Sequence, residues 1–292
     1  MFSIEPIRVF VVDIDGCLTP GGPRPFYLPA LVYLREVNEL AERFAAVPDT
    51  TFLTGRPQAY MEAMLQVIHG RLPGLCENGA LMFRVSDRLE LFHPALPENA
   101  PELLARLSDE VRRHLLEPGD VIEFGKAASL AVVPGRPRRS RDLLDRAREL
   151  AAPWGDEFEV TDSSSILHIL FRKVSKGSGV SWLSEELGVP LASMAGIGDA
   201  VLDVPFLRLV GFSAAPATAP EYVREAVTFR PVGGPGHCVV ETLDAIIRQN
   251  LGLGGGLAEG RRELEATLRE LHRSIFGADG LGYGGGSGAG GG

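Results

Sequence analysis

Asp13 and Asp15 stand one residue apart directly after the apolar run at residues 7–12, and Gly16 follows them. Side chains alternate along a strand, so both carboxylates point the same way at the run's carboxyl end. In open parallel sheets that is the edge where ligands bind. Two carboxylates so placed repel each other unless a cation lies between them or one is protonated. Either condition serves phosphoryl transfer, where one carboxylate acts as nucleophile and metal ligand and the other moves a proton. A surface pair of aspartates at a turn is the plainer alternative. A second acidic pair, Asp199 and Asp203, follows Gly198 and the short apolar run at 194–197. Carboxylates from two strand ends would make a hard oxygen site suited to Mg²⁺. Aspartate is also a favoured helix cap, so a ligand role and a capping role stand side by side here.

Two further segments carry compatible chemistry. Thr54-Gly55-Arg56 ends an apolar run and Pro57 opens the next helix, an arrangement whose hydroxyl and free amides suit a phosphate. Lys176, in Ser175-Lys176-Gly177, opens another helix. A cation is unfavourable at a helix start, and less so if it faces carboxylates and a phosphoryl group. Taken singly, the first segment reads as an ordinary turn and the second as a solvated lysine.

The elements that must position these residues alternate between strand and helix. Apolar β-branched runs at 7–12, 51–53, 194–197 and 210–213 are separated by helix-period stretches at 28–44, 58–68, 179–187 and 221–226. This alternation predicts an α/β fold with a parallel sheet and helices on both faces. The middle differs: helix-strand-strand occurs twice between 101 and 171, which predicts an open antiparallel sheet with helices on one face. The division is therefore 1–83 and 173–250 for the core, 84–172 for an inserted α+β unit, and 251–292 for a tail. In the tail, a leucine stripe over 257–275 predicts an amphipathic helix that could self-associate, and the glycine-rich end is expected to be disordered.

Of 35 glycines, fifteen lie beyond residue 250, so the composition of the first 250 residues is ordinary. The chain has 292 residues and formal net charge −9. No apolar run is long enough to span a membrane, and the acidic balance argues against a nucleic-acid partner. Cys17, Cys76 and Cys238 are odd in number and widely spaced, which gives neither a disulfide framework nor zinc spacing. The N-terminal segment lacks signal-peptide features, so a cytoplasmic location is expected.

In order along the chain, D-x-D-G, T-G-R, S-K-G and G-D-x-x-x-D resemble the four motifs of the haloacid dehalogenase (HAD) superfamily of phosphatases. The resemblance spans about residues 7–250, and Glu77-Asn78-Gly79-Ala80 resembles a segment of its Cof-like and sucrose-phosphatase-like branches. It implies a Rossmann-like core with a C2-type cap, closest to the branch of phosphoglycolate, sucrose-phosphate and mannosyl-3-phosphoglycerate phosphatases. It further implies Asp13 as the nucleophile that forms an aspartyl-phosphate and Asp15 as the acid and base. Thr54 and Lys176 would hold the phosphoryl oxygens. Mg²⁺ would be bound by Asp13, the Asp15 carbonyl and Asp199, with Asp203 in or behind the ligand set. Gly16, Gly55, Arg56, Asn78, Lys126 and Ser129 are the candidate substrate-binding positions, with Glu123 beside them. The substrate would be a small phosphorylated metabolite. Leu202 departs from the asparagine common in this branch, which bears on metal support. His168 is expected to fill a sheet face, and Cys76, Cys238, Trp154 and Trp182 to serve packing. A weakly active binding module and a phosphomutase remain the alternatives.

Overall fold

The computed structural model describes residues 5–163 and 165–277. In the first half of the core, β1 (Val9–Val12) is followed by α1 (Leu28–Ala41), β2 (Asp49–Phe52) and α2 (Gln58–Val67). A meander of β3 (Gly74–Cys76), β4 (Leu81–Arg84) and β5 (Leu89–Phe92) then leads out of the core. The insert consists of α3 (Ala100–His114), β6 (Val121–Ile122), β7 (Ser129–Val133), α4 (Ser140–Ala151), β8 (Phe158–Ser163) and β9 (Ile166–Phe171). The chain re-enters the core with α5 (Lys176–Leu187), β10 (Met194–Ile197), α6 (Val204–Leu207), β11 (Phe212–Ala214), α7 (Glu221–Arg224) and α8 (His237–Gly252). A last helix, α9 (Arg261–Phe276), closes the described chain.

All four residues of β1 are buried, as expected of a strand covered on both faces. It lies inside a parallel sheet of order β11-β10-β1-β2, in which Val12 is level with Phe52 on one side and Ile197 on the other. The segments after β1, β2 and β10 therefore emerge at one edge. Alternation divides the core in two. Phe10 and Val12 join a cluster with Leu34 and Val37 of α1 and Ile246 of α8, whereas Val9 and Val11 join one with Val180 and Leu183 of α5 and Phe206 of α6.

The insert is an antiparallel sheet of order β6-β7-β9-β8. Leu130, Val132, Leu167 and Ile169 pack in the same cluster as Leu107 and Val111 of α3 and Leu143 and Ala147 of α4. The alternate residues, His168 among them, therefore face away from those helices. Both ends of the insert meet the core at one place. His93, which follows β5, packs edge-on to Trp182 of α5 with ring centroids 5.2 Å apart. Nearby, a Cβ on Gly179 would lie 2.7 Å from the Cα of Gly79, so these two backbones touch.

Three expectations change. Residue 84, taken as the start of the insert, is the last residue of β4 and pairs with Leu89 of β5. The whole hairpin belongs to the β3-β4-β5 sheet, and a cut at 84 would divide it; the insert begins after Phe92. The tail helix runs from 261 to 276, with Leu257 in a preceding 3₁₀ turn. Its apolar stripe is occupied within the chain: Leu264 is fully buried, and Leu268, Leu271 and Ile275 pack against the core. Self-association through this stripe would have to displace the chain's own contacts. The expected disordered end, residues 278–292, lies outside the described residues.

Truncating Leu264 to alanine removes a side chain with 0% exposure, and buried leucine truncations cost about 2–5 kcal/mol. Urea denaturation of Leu264→Ala should show a loss of that size. A loss below about 0.5 kcal/mol, the range of an ordinary surface change, would show that α9 does not complete the core.

Candidate active site

Three strand ends and one helix start converge at the sheet edge. Asp13 continues β1, its N–H donating to the Ile197 carbonyl at 3.0 Å, and the residue is 4% exposed. Lys176 begins α5 because Ser175 caps that helix: the Ser175 hydroxyl accepts from Ser178 N–H at 3.2 Å, and Ser178 Oγ accepts from Ser175 N–H at 2.9 Å. Lys176 Nζ lies 2.9 Å from Asp13 Oδ1 and 2.5 Å from Asp203 Oδ1. The other Asp13 oxygen has no hydrogen-bond partner among the described residues.

Asp203 holds a supporting position. Its Oδ2 accepts from Asp199 N–H at 3.0 Å and Ala200 N–H at 2.8 Å, while its Oδ1 takes Lys176. With both oxygens engaged and no solvent exposure, Asp203 shapes the Asp199 loop and is not free to ligate a metal directly. Asp199 packs over Gly16, where a Cβ would come within 2.1 Å of its carboxylate. Gly16 has φ +89°, so both the space and the backbone require glycine.

Carboxylate oxygens of Asp13 and Asp199 and the Cys17 Sγ all lie within 4.8 Å of one another. Burial, then the Asp203 charge, raises Asp13 well above the usual carboxylate range against the opposing pull of Lys176. Burial followed by Asp203 likewise pushes Asp199 up to about 7. Lys176 is held charged: burial opposes its charge, but Asp13 and Asp203 outweigh it and raise its pKa. Burial also raises the Cys17 thiol. Two desolvated carboxylates side by side form an oxygen donor set that fits a small divalent cation, and such an ion would relieve their mutual repulsion.

Asp15 enters as a paired group. Arg56 Nε and Nη2 donate to its two oxygens at 2.9 and 2.8 Å, and Arg56 Nη1 reaches Glu123 of the insert at 3.3 Å. The hydrogen bond to Asp15 is the chief reason that Arg56 is raised above its ordinary range. Thus Arg56 spends its charge on two carboxylates. Thr54 is fully buried, and its hydroxyl accepts from Arg56 N–H at 3.1 Å. Lys126 Nζ donates to the Gly55 carbonyl and lies 3.3 Å from Glu123.

Ser129 is likewise committed to structure, donating to Glu77 Oε2 at 2.7 Å. Glu77 also accepts from Ala127 and Ala128 N–H, at 2.7 and 3.0 Å, and so fastens the insert's first hairpin to the core. Lys126 and Ser129, expected to meet substrate, therefore join the two parts of the molecule instead.

These groups surround a cavity of about 340 Å³. Asp13, Asp15, Gly16, Gly55, Arg56, Asn78, Lys176, Asp199 and Leu202 line it from the core, and Glu123, Ser163 and His168 from the insert. Arg24 lines it too, its Nε donating to the Gly21 carbonyl at 3.1 Å. Sequence reasoning missed Glu77 as an anchor, Arg24, and His168 with Ser163. For His168 a signal existed: it is a polar residue on the face opposite Leu167 and Ile169 in an otherwise apolar strand.

A family profile described as haloacid dehalogenase-like hydrolase matches residues 139–231. Structures of similar fold include a Thermoplasma acidophilum protein with TM-score 0.66 and 20% identity, covering 83% of this chain and 99% of that one. A haloacid dehalogenase-like hydrolase from Bacteroides thetaiotaomicron has TM-score 0.67 and 17% identity over the same shares. The chain is therefore similar to haloacid dehalogenase-like hydrolases, in sequence over residues 139–231 and in fold over most of its length. Among curated relatives, the Methanopyrus kandleri phosphoglycolate phosphatase is 27% identical over 73% of this chain and 86% of its own length. The Archaeoglobus fulgidus phosphoglycolate phosphatase is 28% identical over 81% and 95%.

The insert side of the cavity has a pH signature. Burial, then the positive fields of Lys126 and Lys176, pushes His168 down to about 3. The folded protein keeps this ring neutral where the unfolded chain takes up a proton near pH 6.5. The unfolded state then binds more protons, so the group's stabilisation is complete above about pH 6.5 and is lost as pH falls towards 3. Between pH 6 and 4, wild-type unfolding free energy should fall faster than that of His168→Phe, by up to about 1.4 kcal/mol per pH unit. Parallel slopes in urea denaturation would contradict a neutral buried ring.

Proposed function

We propose that this phosphatase hydrolyses small phosphorylated acids of the phosphoglycolate kind, with Mg²⁺ at Asp13 and Asp199 and Asp13 as nucleophile. The observation that carries this reading is the convergence of Asp13, Lys176 and Asp199 on one cavity, with one Asp13 oxygen unpaired. The names of the curated relatives support the substrate class.

The unpaired Asp13 oxygen attacks phosphorus, and the ester oxygen leaves with a proton. Lys176 neutralises charge on the phosphoryl oxygens while keeping Asp13 oriented. Asp15 supplies the proton and then takes one from water to release phosphate from Asp13. Arg56 donates to both Asp15 oxygens and so orients the carboxylate. Delivery of the proton requires Arg56 to relax its two hydrogen bonds. Asn78, whose Nδ2 is buried and lacks a partner among the described residues, is placed to donate to a phosphoryl oxygen. Bound Mg²⁺ would offset negative charge shared by nucleophile and phosphate. The insert excludes water above the cavity, and its attachment through Glu77 and Arg56 holds it there.

Phosphate release should therefore require Mg²⁺, stop on chelation, and be faster per encounter with phosphoglycolate than with glucose 6-phosphate. Asp13→Asn should reduce the rate to below about a thousandth, as loss of a nucleophile does. No release from any small phosphate ester with Mg²⁺ or Mn²⁺ would overturn the proposal.

A further inference from the structure

One side chain in the cavity is not explained by the folding of the insert or by the transfer of phosphate. His168 lies on β9, level with Ala131 of β7 and Thr161 of β8, and is 7% exposed. Strand pairing uses only its backbone, and a phenylalanine would fill the same space without a buried polar atom. The ring is fixed from one side, since Nε2 lies 2.7 Å from Ser163 Oγ. Its other nitrogen, Nδ1, is enclosed and has no partner among the described residues.

Five buried side-chain atoms lack partners among the described residues, and two of them, His168 Nδ1 and Asn78 Nδ2, belong to residues lining this cavity. One comes from the insert and one from the core, so the pair spans the space between the two parts. Buried polar atoms are normally satisfied, so two orphans on residues lining one cavity call for an explanation, and a bound group is one that answers both. Asn78 sits beside Gly55 on the phosphate side, with its amide 3.4 Å from where a Gly55 Cβ would lie. His168 belongs to the opposite wall, where the remainder of the substrate must go.

The chemistry of that remainder follows from the ring's surroundings. A neutral imidazole offers one donor and one acceptor. When the Ser163 hydroxyl donates to Nε2, the proton resides on Nδ1. Lys126 and Lys176 impose a positive field on the ring, which favours an anionic acceptor there over a donor or an apolar group. We propose that His168, oriented by Ser163, is a specificity-determining residue whose Nδ1–H binds the carboxylate of a small phosphorylated hydroxy acid. This rests on the phosphatase reading and deepens it: the core handles phosphate, and His168 selects for the acid end.

The test compares phosphoglycolate with p-nitrophenyl phosphate, which lacks a carboxylate, in wild type, His168→Phe, His168→Asn and Ser163→Ala. The ratio of kcat/KM for phosphoglycolate to that for p-nitrophenyl phosphate should fall about tenfold in His168→Phe, mainly through KM. His168→Asn, which keeps a donor, should recover part of the loss, and Ser163→Ala should show a smaller fall. Calorimetric titration of phosphoglycolate into Asp13→Asn protein, with and without His168→Phe, reads binding independently of turnover and should show the same tenfold difference.

An unchanged ratio alongside active enzyme overturns the role of His168 and leaves the phosphatase reading standing. Absence of phosphate release by wild type overturns the phosphatase reading, and the calorimetric comparison then decides on His168 by itself. Equal phosphoglycolate affinity with and without the imidazole rejects the proposal. Should His168→Phe fail to fold, Ser163→Ala and His168→Asn supply the same comparison.

Discussion

The buried ion cluster of Lys176 with Asp13 and Asp203 is the constraint around which the rest of the site is arranged. Taking charges out of water costs several kcal/mol per ion, recovered only when geometry and hydrogen bonding are nearly complete. Here completeness is distributed over three elements: β1 delivers Asp13, the Ser175 cap delivers Lys176, and the turn after β10 delivers Asp203. A lysine at a helix start opposes the helix dipole, and two facing carboxylates more than offset that cost. Asp203 is used up in the process, which leaves Asp13 and Asp199 as the carboxylates still able to engage something outside the protein.

The same economy governs the junction between core and insert. Arg56, Lys126 and Glu77 each place a charged group where the two parts meet, and each is answered by a specific partner. Arg56 is unusual in touching both the insert, through Glu123, and the group assigned to proton transfer, Asp15. A shift of the insert that withdraws Glu123 would therefore alter the hydrogen bonding of Asp15. Access to the cavity and readiness for proton transfer share one side chain.

Much of the core was legible because its signals are local. Strand runs ending in Asp13 and Asp199, and a helix beginning at Lys176, follow from side-chain alternation and capping. Parallel pairing then brings their ends to one edge. The meander at 74–92 was not legible in the same way: its three-residue first strand and the exposed β5 carry almost no periodicity, which displaced the insert boundary. Lys126 and Ser129 illustrate a different limit. Their polar character marks them for a partner, but only the fold reveals that the partners are Gly55 and Glu77. Likewise, the stripe of α9 identifies an apolar face without saying that α1 and α8 lie beneath it, and His168 resembles a strand filler until its orphan nitrogen is seen.

The insert leaves the core at His93 and returns at α5, and these two points are in contact through His93 and Trp182, close to where Gly79 meets Gly179. A segment whose ends are already adjacent adds little closure entropy beyond its own folding, whatever its length. The core is thus topologically indifferent to what is threaded between residues 92 and 174. An exchange of that segment would preserve the edge that carries Asp13, Lys176 and Asp199 while rewriting the opposite wall of the cavity. On such a scaffold, a new preference among phosphate esters can arise by transplantation rather than by point-by-point alteration of the reacting groups.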